Sequence, residues 1–416
     1  MRHILHKLYI ERNNLLSILS TTVLSTVASF CMVVAFANLV SPQVLGTYQY
    51  IISLVSIVGA FSLTGISAGI IRAVGKKDYF FLAEARRYLY VGSLPAVIIG
   101  IAIGLYYAVQ GNWWLAVSIS LCVFLYAGLQ VSLRFSDLYM ALNKVGFANH
   151  LAKAQALAPL FFVLPALFFL KDPHILAILF FGGTLLSFNL VTWFLKAHQT
   201  LHGLAKTIDE GKEAIKRTRS YLNFSFHQSV GTLMGAVTTN ADKIILFHIL
   251  GPQQTAIYFI AVSIPNRLRS IIKNFTPLVF SRFARHTPEK VRVNMMKYFF
   301  IILLGTVPAY AMYVFFTPTI YKLLLPQYEN AIFLSQLYAV TFFLSAIVVP
   351  DSALKAHGTT KDFYTISTVY GIARPTLIVI GALVYGLPGA VIAVIIGSLV
   401  HLFLVLVLAR KIKSSD

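Results

Sequence analysis

The sequence predicts an all-α integral membrane protein of about twelve transmembrane helices, arranged as two six-helix lobes with both termini cytoplasmic. Three observations carry this prediction. The 416 residues are 58% hydrophobic and only 12% charged, with a mean hydropathy of +0.77, which is too apolar for a water-soluble chain of this length. About twelve apolar runs are each long enough to cross a bilayer, which takes roughly 20 residues. Lys and Arg gather in alternate segments between those runs, as cytoplasmic segments require.

The first six runs are residues 15–40, 44–71, 88–109, 114–140, 147–170 and 175–195. The second six are 222–250, 254–280, 298–324, 331–350, 363–385 and 387–409. The opening Met1-Arg-His-Ile-Leu-His-Lys7 is basic, but the first run is too long for a signal-peptide core and has no clear cleavage site, so it reads as a retained helix. Cys31 and Cys122 both lie inside apolar runs, which leaves no disulfide framework and no CxxC site.

Orientation follows from the 34 Lys and Arg against 14 Asp and Glu, a formal charge of +20. The N-terminus (Arg2, Lys7, Arg12), the second loop (Arg72, Lys76, Lys77, Arg86, Arg87) and the fourth (Arg134, Lys144, Lys153) are basic. So are the sixth (Lys196 to Arg219), the eighth (Arg282 to Lys297), the tenth (Lys355, Lys361) and the tail (Arg410, Lys411, Lys413). The opposite loops hold only Lys171 and Lys322. Most of the excess charge therefore reports topology, and nucleic acid is not an expected partner.

The chain also repeats. At an offset of 210 residues, Leu39-Val-Ser-Pro-Gln-Val-Leu-Gly-Thr-Tyr48 lies over Ile249-Leu-Gly-Pro-Gln-Gln-Thr-Ala-Ile-Tyr258. Pro42/Pro252, Gln43/Gln253 and Tyr48/Tyr258 coincide, as do Asn13/Asn223, Ser53/Ser263 and Arg72/Arg282. The expected organisation is a lobe at 1–197, a cytoplasmic linker at 198–221 and a second lobe at 222–416. Six helices per lobe give both lobes one orientation, with a substrate path expected between them.

Five basic residues remain after the loops are assigned, all in the second half: Lys243, Arg267, Arg269, Lys273 and Arg374. A charge near the bilayer centre costs at least ~2.5 kcal/mol, so such residues face a bundle interior or a wet cavity. Arg374 lies mid-run, too deep to snorkel, and precedes Pro375. It is the leading substrate-binding candidate, against the plainer reading of a tether between helices. Arg269 and Lys273 share a helix face, and snorkelling explains Lys273 better than Arg269 or Arg267. Asp242, beside Lys243, either pairs with an Arg of another helix or titrates in ion coupling.

Other signals are weaker. His198 and His202 have an i, i+4 spacing without an accompanying carboxylate, so no metal site is expected. His227, His248 and His401 read as histidines bonded to helix carbonyls, and Trp113 and Trp114 as interfacial anchors. There is no GxxxxGK[ST] loop, no HExxH, and no external loop large enough to hold a catalytic domain. Neither a cofactor nor an enzymatic activity is expected.

The stretch Leu39 to Tyr48 closing the first run, and Asp242-Lys-Ile-Ile-Leu-Phe-His-Ile-Leu-Gly251 closing the seventh, resemble the polysaccharide-transporter branch of the multidrug/oligosaccharidyl-lipid/polysaccharide (MOP) flippase superfamily, the Wzx-like O-antigen and capsule flippases. The likeness spans nearly the whole chain. It implies two six-helix lobes around a cationic cavity in the bacterial inner membrane, with Lys243, Arg267 and Arg374 placed to supply the charge. The implied cargo is an undecaprenyl-diphosphate-linked oligosaccharide, with H⁺ or Na⁺ as a coupling ion and polysaccharide polymerase and chain-length proteins as partners. Peptidoglycan-precursor flippases of the superfamily usually have fourteen helices, which argues against lipid II. The rival readings are an organic-cation antiporter of the same superfamily, a membrane glycosyltransferase or polymerase, and an assembly scaffold. Organic cations want carboxylates where this chain has bases.

Overall fold

The structure is a computed structural model that describes residues 2–76, 78, 80–142, 144–195, 212–273, 276, 279–280, 283 and 286–411. Among these residues there is no strand. The helices are α1 (Arg2–Leu39), α2 (Pro42–Gly59), α3 (Ile66–Gly75), α4 (Phe80–Val109), α5 (Trp113–Ala141), α6 (Val145–Phe169) and α7 (Pro173–Phe194). They are followed by α8 (Lys212–Lys273), α9 (Pro288–Leu324), α10 (Ile332–Tyr338), α11 (Val348–His357) and α12 (Thr360–Arg410). Two 3₁₀ segments, Pro326–Ala331 and Ala339–Ile347, flank α10.

Nine stretches of the described residues are long and apolar enough to cross a membrane, but two of them count double. Arg217–Ser270 has 54 residues and Lys361–Arg410 has 50. At 1.5 Å per residue either would reach roughly 75–80 Å, more than twice the ~30 Å hydrocarbon core. Each contains one glycine in a non-helical conformation, Gly251 (φ 84°, ψ 174°) and Gly386 (φ 61°, ψ −139°). The chain doubles back at both. Tyr258 bonds to Asp242, 16 residues away along α8, with an oxygen–oxygen distance of 2.7 Å. In a straight helix these residues would lie about 24 Å apart. Tyr370 and His401 likewise stack across Gly386 at 4.2 Å. With α2 and α3 serving as one further crossing, the fold has about twelve transmembrane helices, an even number that returns the chain to its starting side.

The predicted second run, 44–71, is not one helix. It breaks between Gly59 and Ile66, where two glycines admit close neighbours. A Cβ on Gly59 would lie 2.0 Å from the Tyr126 ring, and one on Gly65 2.1 Å from the Ser225 carbonyl oxygen. The Gly65 N–H is bonded to Ser229 Oγ at 2.8 Å, so the break is a packed junction with its backbone satisfied. The predicted tenth run, 331–350, is instead a mixed 3₁₀/α segment covering 326–357. Of the predicted linker, residues 212–221 open α8 as helix, and 198–211 lie outside the described residues.

Contacts divide the chain into two compact units, Met1–Leu39 with Ile51–Ala236, and Val40–Tyr50 with Val237–Asp416. In the first unit α5 is central and packs against α3, α4, α6 and α7, while α1 packs on α6. Polar bonds add to this packing, as small polar groups do between membrane helices: Asn149 Nδ2 to Ser17 Oγ (2.8 Å) and Ser132 Oγ to Asn189 Oδ1 (3.1 Å). Trp113, Trp114 and Phe169 are exposed, as lipid-facing or interfacial side chains are.

In the second unit, α9 and α11 enclose a core that includes Met295, Phe299, Val349, Ala353 and Leu354. Tyr321 Oη reaches the Ile260 carbonyl at 3.2 Å and Ser335 Oγ the Ala261 carbonyl at 2.7 Å. These two bonds dock the start of the helix after Gly251 against α9 and α10. Gly46 approaches so closely that a Cβ there would lie 1.8 Å from the Pro252 carbonyl oxygen.

Candidate functional site: a buried cationic cluster in the second unit

The two reversals determine how deep the charges lie. Counting back from Gly251 at 1.5 Å per residue, Asp242 lies about 13 Å along its helix. Arg374 lies about 18 Å from Gly386 by the same measure, which is mid-depth in a ~30 Å core. Arg267 and Arg269, on the helix leaving Gly251, lie about 24 and 27 Å from it. The hairpin at Gly251 and the hairpin at Gly386 therefore bring four ionisable groups into the middle and one end of the same unit.

Asp242 is 7% and Arg374 12% exposed at the side chain, and Arg374 Nη2 lies 3.6 Å from Asp242 Oδ2. The arginine of another helix that lies against Asp242 is Arg374. The carboxylate has other support. Its Oδ2 accepts from Tyr258 Oη at 2.7 Å and its Oδ1 from the backbone N–H of Lys243 at 2.9 Å.

Arg374 is less well held. Nη1 donates to Tyr370 Oη at 3.2 Å, its one hydrogen bond among the described residues. Its Nε is buried without a partner among the described residues. The 3.6 Å contact with Asp242 is an ion pair beyond hydrogen-bonding distance, so among the described residues one of the five guanidinium N–H donors has a hydrogen-bond partner. Pro375 cannot donate to the Gly371 carbonyl one turn back, which loosens the helix at this point. The Arg374 stem lies against Gly397, where an added Cβ would touch it at 3.4 Å.

Tyrosines surround the pair. Tyr370 stacks on His401, and Tyr338 Oη donates to Asn266 Oδ1 at 2.9 Å. Tyr258, Tyr338 and Tyr370 all lie within electrostatic reach of Arg374. Arg269 lies within electrostatic reach of Tyr338, Tyr370 and Arg374. The Nε atoms of Arg267 and Arg269 are buried and make no hydrogen bond among the described residues. The cluster around the pair thus holds Arg374, Arg269 and Asp242, two guanidinium groups and one carboxylate, a surplus of one positive charge.

The remaining sequence candidates sit differently. Lys243 points away from the pair and reaches Asn240 Oδ1 at 3.5 Å, because adjacent helical residues diverge by about 100°. Lys273 ends α8, and its side chain lies outside the described ones. Sequence reasoning missed Tyr258, Tyr338, Tyr370 and Asn266. Two had a signal: Tyr370 stands one turn before Arg374, and Tyr258 is a matched position of the internal repeat. Tyr338 and Asn266 had none, since only the fold brings their helices together.

Lipid II flippase MurJ in an inward closed conformation matches with a TM-score of 0.63 at 14% identity, over 95% of this chain and 86% of that one. An inward-facing multidrug resistance MATE family transporter of the MOP superfamily matches at 0.64 and 15% identity, over 94% of each chain. The chain has the MOP transporter fold. A third structure with this fold, a MOP superfamily transporter from Pyrococcus furiosus described as having a binding pocket of reverse polarity, matches at 0.58 and 13% identity, over 96% of this chain and 94% of that one. No family model and no curated protein sequence matches the chain. At these identities the likeness is one of fold, and the reading of cargo rests on the MOP-fold chain's own residues.

Proposed function

We propose that this protein is a flippase that moves an undecaprenyl-diphosphate-linked oligosaccharide across the bacterial inner membrane by alternating access. The observation that carries the reading is the surplus of positive charge in the second unit, Arg267 and Arg269 having no carboxylate partner among the described residues once Arg374 pairs with Asp242. A lipid-linked diphosphate diester brings roughly two negative charges, and guanidinium groups bind phosphate oxygens through paired, charge-assisted hydrogen bonds. In a partly dry site those bonds are stronger than in water.

Arg267 and Arg269 lie at the end of their helix remote from Gly251, which the distribution of Lys and Arg puts nearer the cytoplasm. In this reading they meet the headgroup first, and Arg374 receives it at mid-depth. The polyprenyl tail stays in lipid. A membrane potential negative inside favours outward movement of an anion by ~2.3 kcal/mol per charge per 100 mV, so no nucleotide is needed. The organic-cation reading has less support, because the cluster's one carboxylate already faces an arginine.

The test is surface-glycan display in bacteria lacking their own flippase, complemented at matched membrane expression. Wild type restores display, Arg374→Ala abolishes it and Arg374→Lys retains part of it. Full display with Arg374→Ala would remove this site from the transport path. Failure of wild type in every glycan background tested would overturn the proposed cargo.

A further inference from the structure

We infer that Asp242 is a built-in counter-anion, occupying Arg374 when the site is empty and yielding it to the substrate's phosphate when the site is filled. This deepens the diphosphate reading above and rests on it.

Three features of the geometry point this way. Asp242 does not depend on Arg374 for its hydrogen bonds, since Tyr258 Oη and the Lys243 N–H hold its two oxygens separately. It can lose the arginine and remain in place. Arg374 does not depend on Asp242 either: its one hydrogen bond among the described residues goes to Tyr370, and its contact with the carboxylate is 3.6 Å. A pair built only for stability would close to a bidentate contact at roughly 2.7–2.9 Å. Finally, the spare donors of Arg374 and the unbonded Nε groups of Arg267 and Arg269 leave capacity for an incoming anion.

The physical need is clear. A carrier must reorient both loaded and empty, and an unneutralised guanidinium at mid-depth opposes the empty step. An internal carboxylate removes that obstacle without an ion from solution. It also weakens substrate binding, because the apparent affinity falls by the fraction of molecules in which Arg374 is free. Asp242 is accordingly a positioning residue whose removal tightens binding while slowing turnover, a combination that damage to the fold does not produce.

The experiment uses full-length protein in detergent micelles, with geranylgeranyl diphosphate as probe and geranylgeraniol as its uncharged control. Asp242→Asn keeps the side-chain volume and the oxygen that accepts from Tyr258. We expect it to bind the diphosphate about tenfold tighter than wild type, with flipping in proteoliposomes at least about tenfold slower, as if Arg374 were free in about one wild-type molecule in ten. Asp242→Glu keeps the charge and stays near wild-type affinity. If wild type binds the diphosphate and Asp242→Asn binds it no more tightly, the counter-anion role is overturned and the cargo reading stands. If neither prefers the diphosphate over the alcohol, the cargo reading itself falls. Should Asp242→Asn not fold, infrared difference spectra of wild type carrying ¹³C-labelled aspartate decide the matter. The carboxylate stretch shifts on adding diphosphate if Arg374 leaves it, and an unchanged spectrum refutes the exchange.

Discussion

Arg134 of the first unit and Arg374 of the second are equally buried, each 12% exposed at the side chain, yet they are treated in opposite ways. Arg134 uses four of its five donors. Its Nε donates to the Gln130 carbonyl (3.1 Å), Nη2 to Gln130 Oε1 (2.7 Å), and Nη1 to Ser67 Oγ and Asp137 Oδ2 (3.0 Å). Those bonds tie α5 to α3. Among the described residues Arg374 has one hydrogen bond and a loose ion pair. Burial alone therefore does not separate a structural arginine from a functional one. The unused hydrogen-bonding capacity does, because a protein that leaves donors unpaired in a dry interior incurs a cost that only a ligand can offset.

The comparison is tested most severely by deleting both ends of the second pair. Arg374→Ala leaves Asp242 buried without its cation, and removing one partner of a buried pair typically destabilises by about 3–5 kcal/mol. The double variant Arg374→Ala/Asp242→Asn should recover most of that loss, as read by thermal unfolding in detergent. In the first unit, Arg134→Lys should cost roughly 1–3 kcal/mol, since an ammonium cannot reproduce the fork, while glycan display per folded molecule stays at the wild-type level. Loss of display with Arg134→Lys at full folding would erase the distinction between the two arginines.

The fold was legible because its determinants are one-dimensional. Run length and the alternation of Lys and Arg are read directly from the chain, and they gave about twelve crossings. What they did not give were the local breaks. The gap in 44–71 depends on what Gly59 and Gly65 meet, Tyr126 and Ser225 respectively, and those neighbours are remote in sequence. The site was legible in part for the same reason. Arg374, Arg267, Arg269 and Asp242 stand out because charge in an apolar run is costly wherever it occurs. Lys243 stands out equally, but its direction depends on helix phase, and the structure turns it toward Asn240. The tyrosines carried no such mark among 21 in the chain, since a phenol is at home both in lipid interfaces and in cores.

The two helix breaks related by the repeat give a test of intermediate size. α1 ends at Leu39 and α2 begins at Pro42, and α8 breaks at Gly251 just before Pro252, so Ser41 and Gly251 correspond at the offset of 210. Gly251 has φ 84° and ψ 174°, a conformation essentially restricted to glycine and worth about 1–3 kcal/mol of strain for any other residue. Gly251→Ser should lower the unfolding temperature accordingly, and it should also shift Asp242 relative to Tyr258 because their contact spans this turn. Ser41→Gly should change stability by no more than about 1 kcal/mol, the backbone-entropy cost of glycine. Equal losses at the two positions would mean that the two breaks are conformationally alike after all.

The smallest effect on stability should come from the residues with the largest unmet demand. Arg267 and Arg269 are half-buried, with buried Nε atoms that make no hydrogen bond among the described residues, so they contribute desolvation cost without compensating contacts. Arg267→Gln and Arg269→Gln should leave the unfolding temperature unchanged or raise it slightly, by an amount equivalent to less than about 1 kcal/mol. Binding of geranylgeranyl diphosphate should weaken in both, with Arg269→Gln the more affected, because Arg269 is the one within electrostatic reach of Arg374. A protein that becomes more stable as it loses its ligand keeps those charges for the ligand. If instead both substitutions destabilise by several kcal/mol with affinity intact, the two arginines belong with Arg134 as structural ties, and the surplus positive charge in the second unit has another purpose.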